Sequence, residues 1–303
     1  ACALGSINLT RFVTDPFTDQ ARLDLEAIEA LVPTAVRMMD NVVDLSRFPL
    51  DQQARTERGN RRIGLGMTGL GDSLIMLGLH YDSEPARQLA AEAMRRISHA
   101  AYRASIELAR EKGAFPLFEP EAYGQGAFIA SLPEDIREAI GRHGIRNSHL
   151  TAIAPTGTIS LLANNVSSGI EPAFDFAFQR QVLELDGTYR RYAVEDYALI
   201  QWRRLNGDQP RPETFVSALE LPPRAHLAMQ AVLQPYVDNS ISKTINIPED
   251  FDYEAFRGIY EQAFDHRLKG CTTYRPSAVR GAVLEQGTVE QASHCCTPER
   301  EAD

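Results

Sequence analysis

Short apolar runs that end in a turn and pass straight into helical periodicity constrain this chain more than any other feature. The clearest is HLTAIA at 149–154, which breaks at Pro155-Thr156-Gly157-Thr158 and continues as a helix from Ser160. Segment 1–13 reads as an apolar strand and loop. SKTINIP at 242–248 and Gly270 to Tyr274 are further short β runs, with a helical stretch from Tyr253 to Leu268 between them. Strands separated by helices predict an α/β architecture. The stretch from Phe174 to Arg190 instead alternates and contains Asp186-Gly187, a hairpin signal, so the sheet is predicted to be mixed rather than purely parallel.

Apolar residues recur at three- and four-residue spacing over 22–47, which predicts one long helix that Pro33 bends or divides. Residues 84–112 carry the strongest helix signal, with Ser83 and Pro85 at the start and Gly113 at the end. Helices are also predicted over 192–203 and 224–237. FPLFEPEAYGQGAF reads as an aromatic-bearing loop, and the region from about 284 onward as a mobile tail poor in apolar residues. IGLGMTGLGDSLIMLG reads as a glycine-rich entry into an apolar helix. Its Gly64-x-Gly66-x-x-Gly69 spacing matches a dinucleotide fingerprint, but only Ile63 precedes it where a strand is needed, so helix packing through small residues is the expectation.

The Pro-Thr-Gly-Thr turn is the most pointed chemical feature. The first N–H groups of a helix have no partner within it and carry partial positive charge, so an anion such as a phosphate fits there. Pro155 sets the entry, Gly157 admits close approach, and Thr156, Thr158 and Ser160 offer hydroxyls. The same residues also suit a simple helix cap. No Walker A lysine accompanies the turn. The polar run from Asn164 to Pro172, with Glu171 near its end, is expected to line the same pocket.

A hydrophobic fraction of 44% supports a sizeable core, and a formal charge of −10 gives no footprint for nucleic acid. The absence of a long apolar run or basic leader leads to the expectation of a soluble cytoplasmic protein with no membrane partner. Seven histidines show no metal-ligand spacing, so no metal site is predicted, and His226 is expected to lie on a helix surface or to be packed rather than to act as a base. Four cysteines do not make a disulfide framework. Their placement at Cys2, Cys271 and the adjacent Cys295 and Cys296 invites a thiol-exchange reading beside one of incidental thiols. The abrupt start at Ala1 leads to the expectation that the chain is a fragment or processed product.

In order along the chain, CALGSINL (2–9), NRRIGLGMTGLGDSL (60–74), IAPTGTIS (153–160), NVSSGIEPAF (165–174), DNSISKTINIP (238–248) and KGCTTYR (269–275) resemble the large catalytic chain of ribonucleotide reductase. The resemblance is to the adenosylcobalamin-dependent class II type. It implies a fold, the C-terminal half of a ten-stranded α/β barrel with a mixed sheet and surrounding helices, over 1–283, followed by a flexible cysteine-bearing tail at 284–303. It implies that Pro155, Thr156, Gly157, Thr158, Ile159 and Ser160 hold the phosphates of a ribonucleoside di- or triphosphate. It also implies that Cys2, with a partner on an N-terminal half, reduces the substrate radical and becomes a disulfide.

Cys295 and Cys296 would then reload that pair from a thioredoxin-like reductant, although the family's tail cysteines are spaced and these are adjacent. Cys271 stands where the family has an aliphatic residue and is expected in the core. The family's Asn-x-Cys-x-Glu radical loop does not occur in 1–303. The chain is therefore expected to be inactive alone and to make deoxyribonucleotides only with its N-terminal half. The alternative is a non-catalytic nucleotide-binding or regulatory module built on the same scaffold.

Overall fold

The computed structural model describes residues 2–183, 187–275 and 285–286. Strand β1 (Ala3–Asn8) leads through a 3-10 turn at Leu9–Phe12 into a small antiparallel pair, β2 (Val13–Thr14) with β3 (Arg22–Leu23). Helix α1 (Leu25–Leu45) follows, its first turn capped by Asp24, whose Oδ1 accepts from Ala27 N at 2.9 Å. Pro33 lies inside this helix without ending it. Ile28, Val32, Val36, Met39 and Val43 form its buried stripe at helical spacing.

After α2 (Asp51–Asn60) come β4 (Ile63–Thr68), α3 (Leu70–Met76) and the 29-residue α4 (Glu84–Lys112), capped by Ser83 and stopped at Gly113, where φ is +85°. Helices α1 and α4 pack on each other and on β4, which builds the principal core. Three shorter helices, α5 (Pro120–Gly124), α6 (Ala127–Ser131) and α7 (Glu134–His143), close one side, and the six-residue α8 (Gly157–Leu162) follows the turn.

The hairpin forms as predicted. Strand β5 (Ala177–Leu183) pairs antiparallel with β6 (Tyr189–Glu195), and Gly187 between them takes a φ of +81°. Helix α9 (Tyr197–Asn206), α10 (Pro223–Leu233), β7 (Thr244–Asn246), α11 (Tyr253–Asp265) and β8 (Thr272–Tyr274) complete the order. A final pair of described residues, β9 (Glu285–Gln286), adds to β5.

The strand pairings assemble one array. β1 runs parallel to β4 in register from Ala3↔Ile63 to Asn8↔Thr68. β4 bridges in parallel to Thr151 through Leu65, and Ile153 bridges in parallel to Ile241. The run that contains Ile241 continues into β7, which pairs parallel with β8. Five chain segments thus lie side by side and parallel, with helices on one face. The mixed α/β class holds; among the described residues there is no closed barrel.

Several sequence expectations need correction. Ile63–Thr68 is a fully buried strand, not a helix entry, and its glycines serve strand packing. A Cβ on Gly66 would sit 2.1 Å from Ala152 O, and one on Gly64 2.7 Å from Ala152 Cβ and from Leu4 Cδ2. Period-2 spacing puts both glycines on the face that neighbouring segments crowd, while Ile63, Leu65 and Met67 turn to the core. The helix expected over 192–203 starts only at Tyr197, because β6 runs to Glu195 and Asp196 caps the helix. The aromatic loop at 115–128 contains short helices, and the helix expected from Ser160 begins three residues earlier, at Gly157.

Candidate functional site

The ends of the second and third segments of the array converge with the 164–172 run. Thr156 has a φ of +56°, an unusual conformation for a β-branched residue. Its hydroxyl explains how the conformation is held: Oγ1 lies 2.9 Å from Thr68 Oγ1 and accepts from Gly169 N at 2.7 Å. Thr68 Oγ1 in turn reaches Ser167 O at 3.1 Å. Ser160 is also buried and donates to Gly157 O at 2.9 Å, with Ser168 Oγ 3.2 Å away. The two polar segments therefore meet, as the sequence predicts.

The expected division of labour among the hydroxyls changes. Those of Thr156 and Ser160 face inward and are engaged by the protein, and Thr158 keeps its side chain in solvent. Pro155, Gly157 and Ile159 are exposed with it. A Cβ on Gly157 would meet nothing within 4 Å, so the space over the turn is open. Ser160 N donates to Thr156 O, and the three preceding N–H groups, those of Gly157, Thr158 and Ile159, lack helical acceptors by position.

Behind the loop stands a fully buried acid pair. Asp72, from α3, exchanges two hydrogen bonds with Ser167: its Oδ2 accepts from Ser167 N at 3.1 Å, and its own N donates to Ser167 Oγ at 3.1 Å. Asp196 accepts from Ala198 N and Leu199 N as the cap of α9. Burial, then the neighbouring Asp196 charge, pushes Asp72 far above the usual carboxylate range, and burial pushes Asp196 up to about 6. One proton shared between the two relieves the repulsion.

Both carboxyl pKa values are raised on folding, so the native chain holds protons that the unfolded chain releases. The stabilising contribution of each is complete below the ordinary aspartate value, near 3.9; that of Asp196 is lost as pH rises through about 6, and that of Asp72, raised further, is lost at higher pH. Asp72→Asn mimics the protonated form. It is expected to be more stable than the wild type above pH 6, by on the order of 1–3 kcal/mol, and to flatten the pH dependence. Denaturation midpoints measured from pH 4 to 8 check this; parallel curves for the two proteins would sink the shared-proton account.

The fourth segment of the array alternates. Ile241, Lys243, Ile245 and Ile247 turn inward to the helices and are buried; Ser240, Ser242, Thr244 and Asn246 are at least partly exposed on the other face. Lys243 therefore occupies an apolar register position, a signal that sequence reading passed over. His226 is packed, one of the two placements expected, and burial followed by the Lys243 charge holds it down at about 3. Its Nε2–H faces Ala218 O at 3.2 Å.

Cys2 immediately precedes β1 and is half-buried, and a Cβ placed on Gly64 would lie 3.7 Å from its Sγ. Burial, reinforced by the Glu57 charge, raises the thiol pKa, so Cys2 is a protonated thiol near neutrality. Cys271 is half-buried and packs against the cluster of Leu227, Ile245, Ile247, Ile259 and Ala263, so it borders the core rather than lying within it. Cys295 and Cys296 lie outside the described residues. Among the described residues no group of His, Cys, Asp and Glu is arranged to hold a metal ion, and no helix is long and apolar enough to cross a membrane.

Residues 1–274 match the family model described as "Ribonucleotide reductase, barrel domain", and the chain belongs to this family. It is 38% identical over 301 residues to a vitamin B12-dependent ribonucleoside-diphosphate reductase of Mycobacterium tuberculosis strain H37Rv, covering 94% of this chain and 40% of that protein. The protein of the same name from Thermoplasma acidophilum is 35% identical over 307 residues, with 96% and 37% covered. A ribonucleoside-diphosphate reductase subunit alpha of Chlamydia muridarum is 27% identical over 331 residues, with 95% and 31% covered. The chain thus spans about two-fifths of the length of the first two relatives.

Proposed function

We propose that this chain is the C-terminal part of a vitamin B12-dependent ribonucleoside-diphosphate reductase, contributing the substrate-phosphate turn and one redox thiol. The observation that carries the proposal is the family match over residues 1–274 together with relatives of that printed name. In this reading the five parallel segments are one half of a ten-stranded barrel. An N-terminal half brings the Asn-x-Cys-x-Glu loop and the second redox cysteine, and a thioredoxin-like reductant restores the thiols through Cys295 and Cys296. Adenosylcobalamin would supply the radical that starts the reaction. No described residue cluster singles out a corrin site, and the parts assigned to this chain are binding and electron supply.

The turn would hold the phosphates through the N–H groups of Gly157, Thr158 and Ile159 and the Thr158 hydroxyl. Its support is the exposure of those residues and the buried contacts that fix Thr156 behind them. Cys2 and its partner thiol would give up two electrons and two protons as the ribonucleotide loses its 2′ oxygen as water, leaving one disulfide. A thiol kept protonated by burial suits delivery of hydrogen to a substrate radical.

Gly157→Val tests the phosphate assignment. The new side chain enters open space, so the fold is expected to stand, but it fills the approach to the N–H groups. Loss of one charge-assisted contact should raise KM for a ribonucleoside diphosphate by about 10- to 100-fold in the enzyme completed with its N-terminal half. An unchanged KM with intact folding would move the phosphate site elsewhere.

A further inference from the structure

Lys243 is 2% exposed, yet its ammonium has three acceptors for its three N–H bonds. It forms an ion pair with Glu171, donates to His226 Nδ1 at 2.7 Å, and donates to Thr244 O at 2.9 Å. His226 can accept because its proton resides on Nε2, toward Ala218 O. Glu171 is gripped a second time, its Oε1 accepting from Thr244 N at 2.7 Å. One cation thereby ties α10, the fourth array segment and the end of the 164–172 loop together.

The tie reaches the phosphate turn in two residues. From Glu171 the chain runs back through Ile170, whose carbonyl accepts from Tyr81 OH at 2.6 Å, to Gly169. Gly169 N donates to Thr156 Oγ1, the contact that holds Thr156 at positive φ. Gly169 itself has a φ of +53°, and a Cβ there would lie 2.9 Å from Ala154 O, so this crossing has little room to shift. A buried ion pair is a poor way to gain stability, since apolar residues of similar volume commonly do as well. Its value here lies in direction.

We propose that Lys243 is a positioning residue for the phosphate turn: by anchoring Glu171 it fixes Gly169, and through Gly169 the strained Thr156 that sets the N–H groups of α8. The proposal rests on reading 155–160 as the phosphate site. Lys243 does not touch substrate, so its loss should be felt in binding more than in turnover.

The experiment compares Lys243→Met, Lys243→Met with Glu171→Gln, Glu171→Gln alone, and Gly157→Val in the completed enzyme, with KM and kcat for a ribonucleoside diphosphate and the melting temperature measured for each. The double variant is expected to keep or raise the melting temperature, to raise KM by about tenfold, and to leave kcat within roughly twofold. Glu171→Gln alone, the mildest change, is expected to raise KM in the same direction and keeps the test open if Lys243→Met does not fold. If Gly157→Val raises KM and none of the Lys243 and Glu171 variants does, the positioning role is overturned while the phosphate site stands. If Gly157→Val leaves KM unchanged, the phosphate reading fails and this role falls with it. A joint fall of melting temperature and kcat, with KM unmoved, would mark Lys243 as purely structural.

Discussion

If Cys2 is the redox thiol proposed above, Cys2→Ser in the enzyme completed with its N-terminal half should abolish multiple turnover whichever reductant is supplied, by on the order of 10³-fold or more, as removal of a reacting group does elsewhere. A serine hydroxyl fits the half-buried site, so folding is not at stake. What is lost is chemical: an O–H bond does not yield its hydrogen to a carbon radical as a thiol does, and no disulfide can form. The control is Cys295→Ser with Cys296→Ser. If these thiols only regenerate the active pair by exchange, the double variant should lose thioredoxin-supported turnover and retain much of that driven by dithiothreitol. Steady-state assays with both reductants separate the cases. Normal turnover by Cys2→Ser would remove residue 2 from the redox scheme, and normal thioredoxin-driven turnover by the tail variant would make the adjacent cysteines incidental.

Among the described glycines, Gly66→Ala should be the most damaging added methyl. The added Cβ would lie 2.1 Å from Ala152 O, 3.1 Å from Ala152 C and 3.2 Å from Ile153 Cα, all backbone atoms that cannot swing aside. Relief requires β4 and the third segment to separate, which breaks the bonds from Leu65 N to Leu150 O at 2.8 Å and from Ala152 N to Leu65 O at 3.2 Å. Overpacking that flexible side chains absorb costs about 1–3 kcal/mol. With backbone on the other side, a loss above roughly 3 kcal/mol is expected, a large share of the stability of an ordinary domain. Gly157→Ala, which meets nothing within 4 Å, is the neutral comparison. If thermal denaturation found the two variants equally stable, the close approach of these segments would not be what requires glycine at 66.

The alternation of short β runs with helices was legible because each run buries apolar residues and each long helix carries its own caps, as Asp24 and Ser83 do. The turn was legible as a donor-rich strand-to-helix junction. Which hydroxyls faced outward was not, because nothing in Pro-Thr-Gly-Thr reveals that Thr156 takes a positive φ and points Oγ1 at Gly169. β4 was misread because glycine disfavours strands, and only the distance to Ala152 explains its use. α2 left no apolar periodicity to read: its buried positions are Glu57 and Gly59. Asp72 and Lys243 gave the same kind of missed clue, a charged residue at a position that the local period assigns to the interior. That pattern marks a place where a titratable side chain is engaged by groups distant in sequence, Ser167 and Asp196 for one and His226 and Glu171 for the other.

The parallel array also has two rims, and they differ. β8 is three residues long and offers a newcomer little to pair with, whereas β1 offers six residues, with Leu4 56% exposed among them, and among the described residues it is paired along only one side, by β4. An unpaired rail of this length is a template for any extended peptide, including the same rail on another copy. An edge left open in this way favours edge-to-edge association, so a peptide matched to ALGSIN is expected to compete for the same backbone groups.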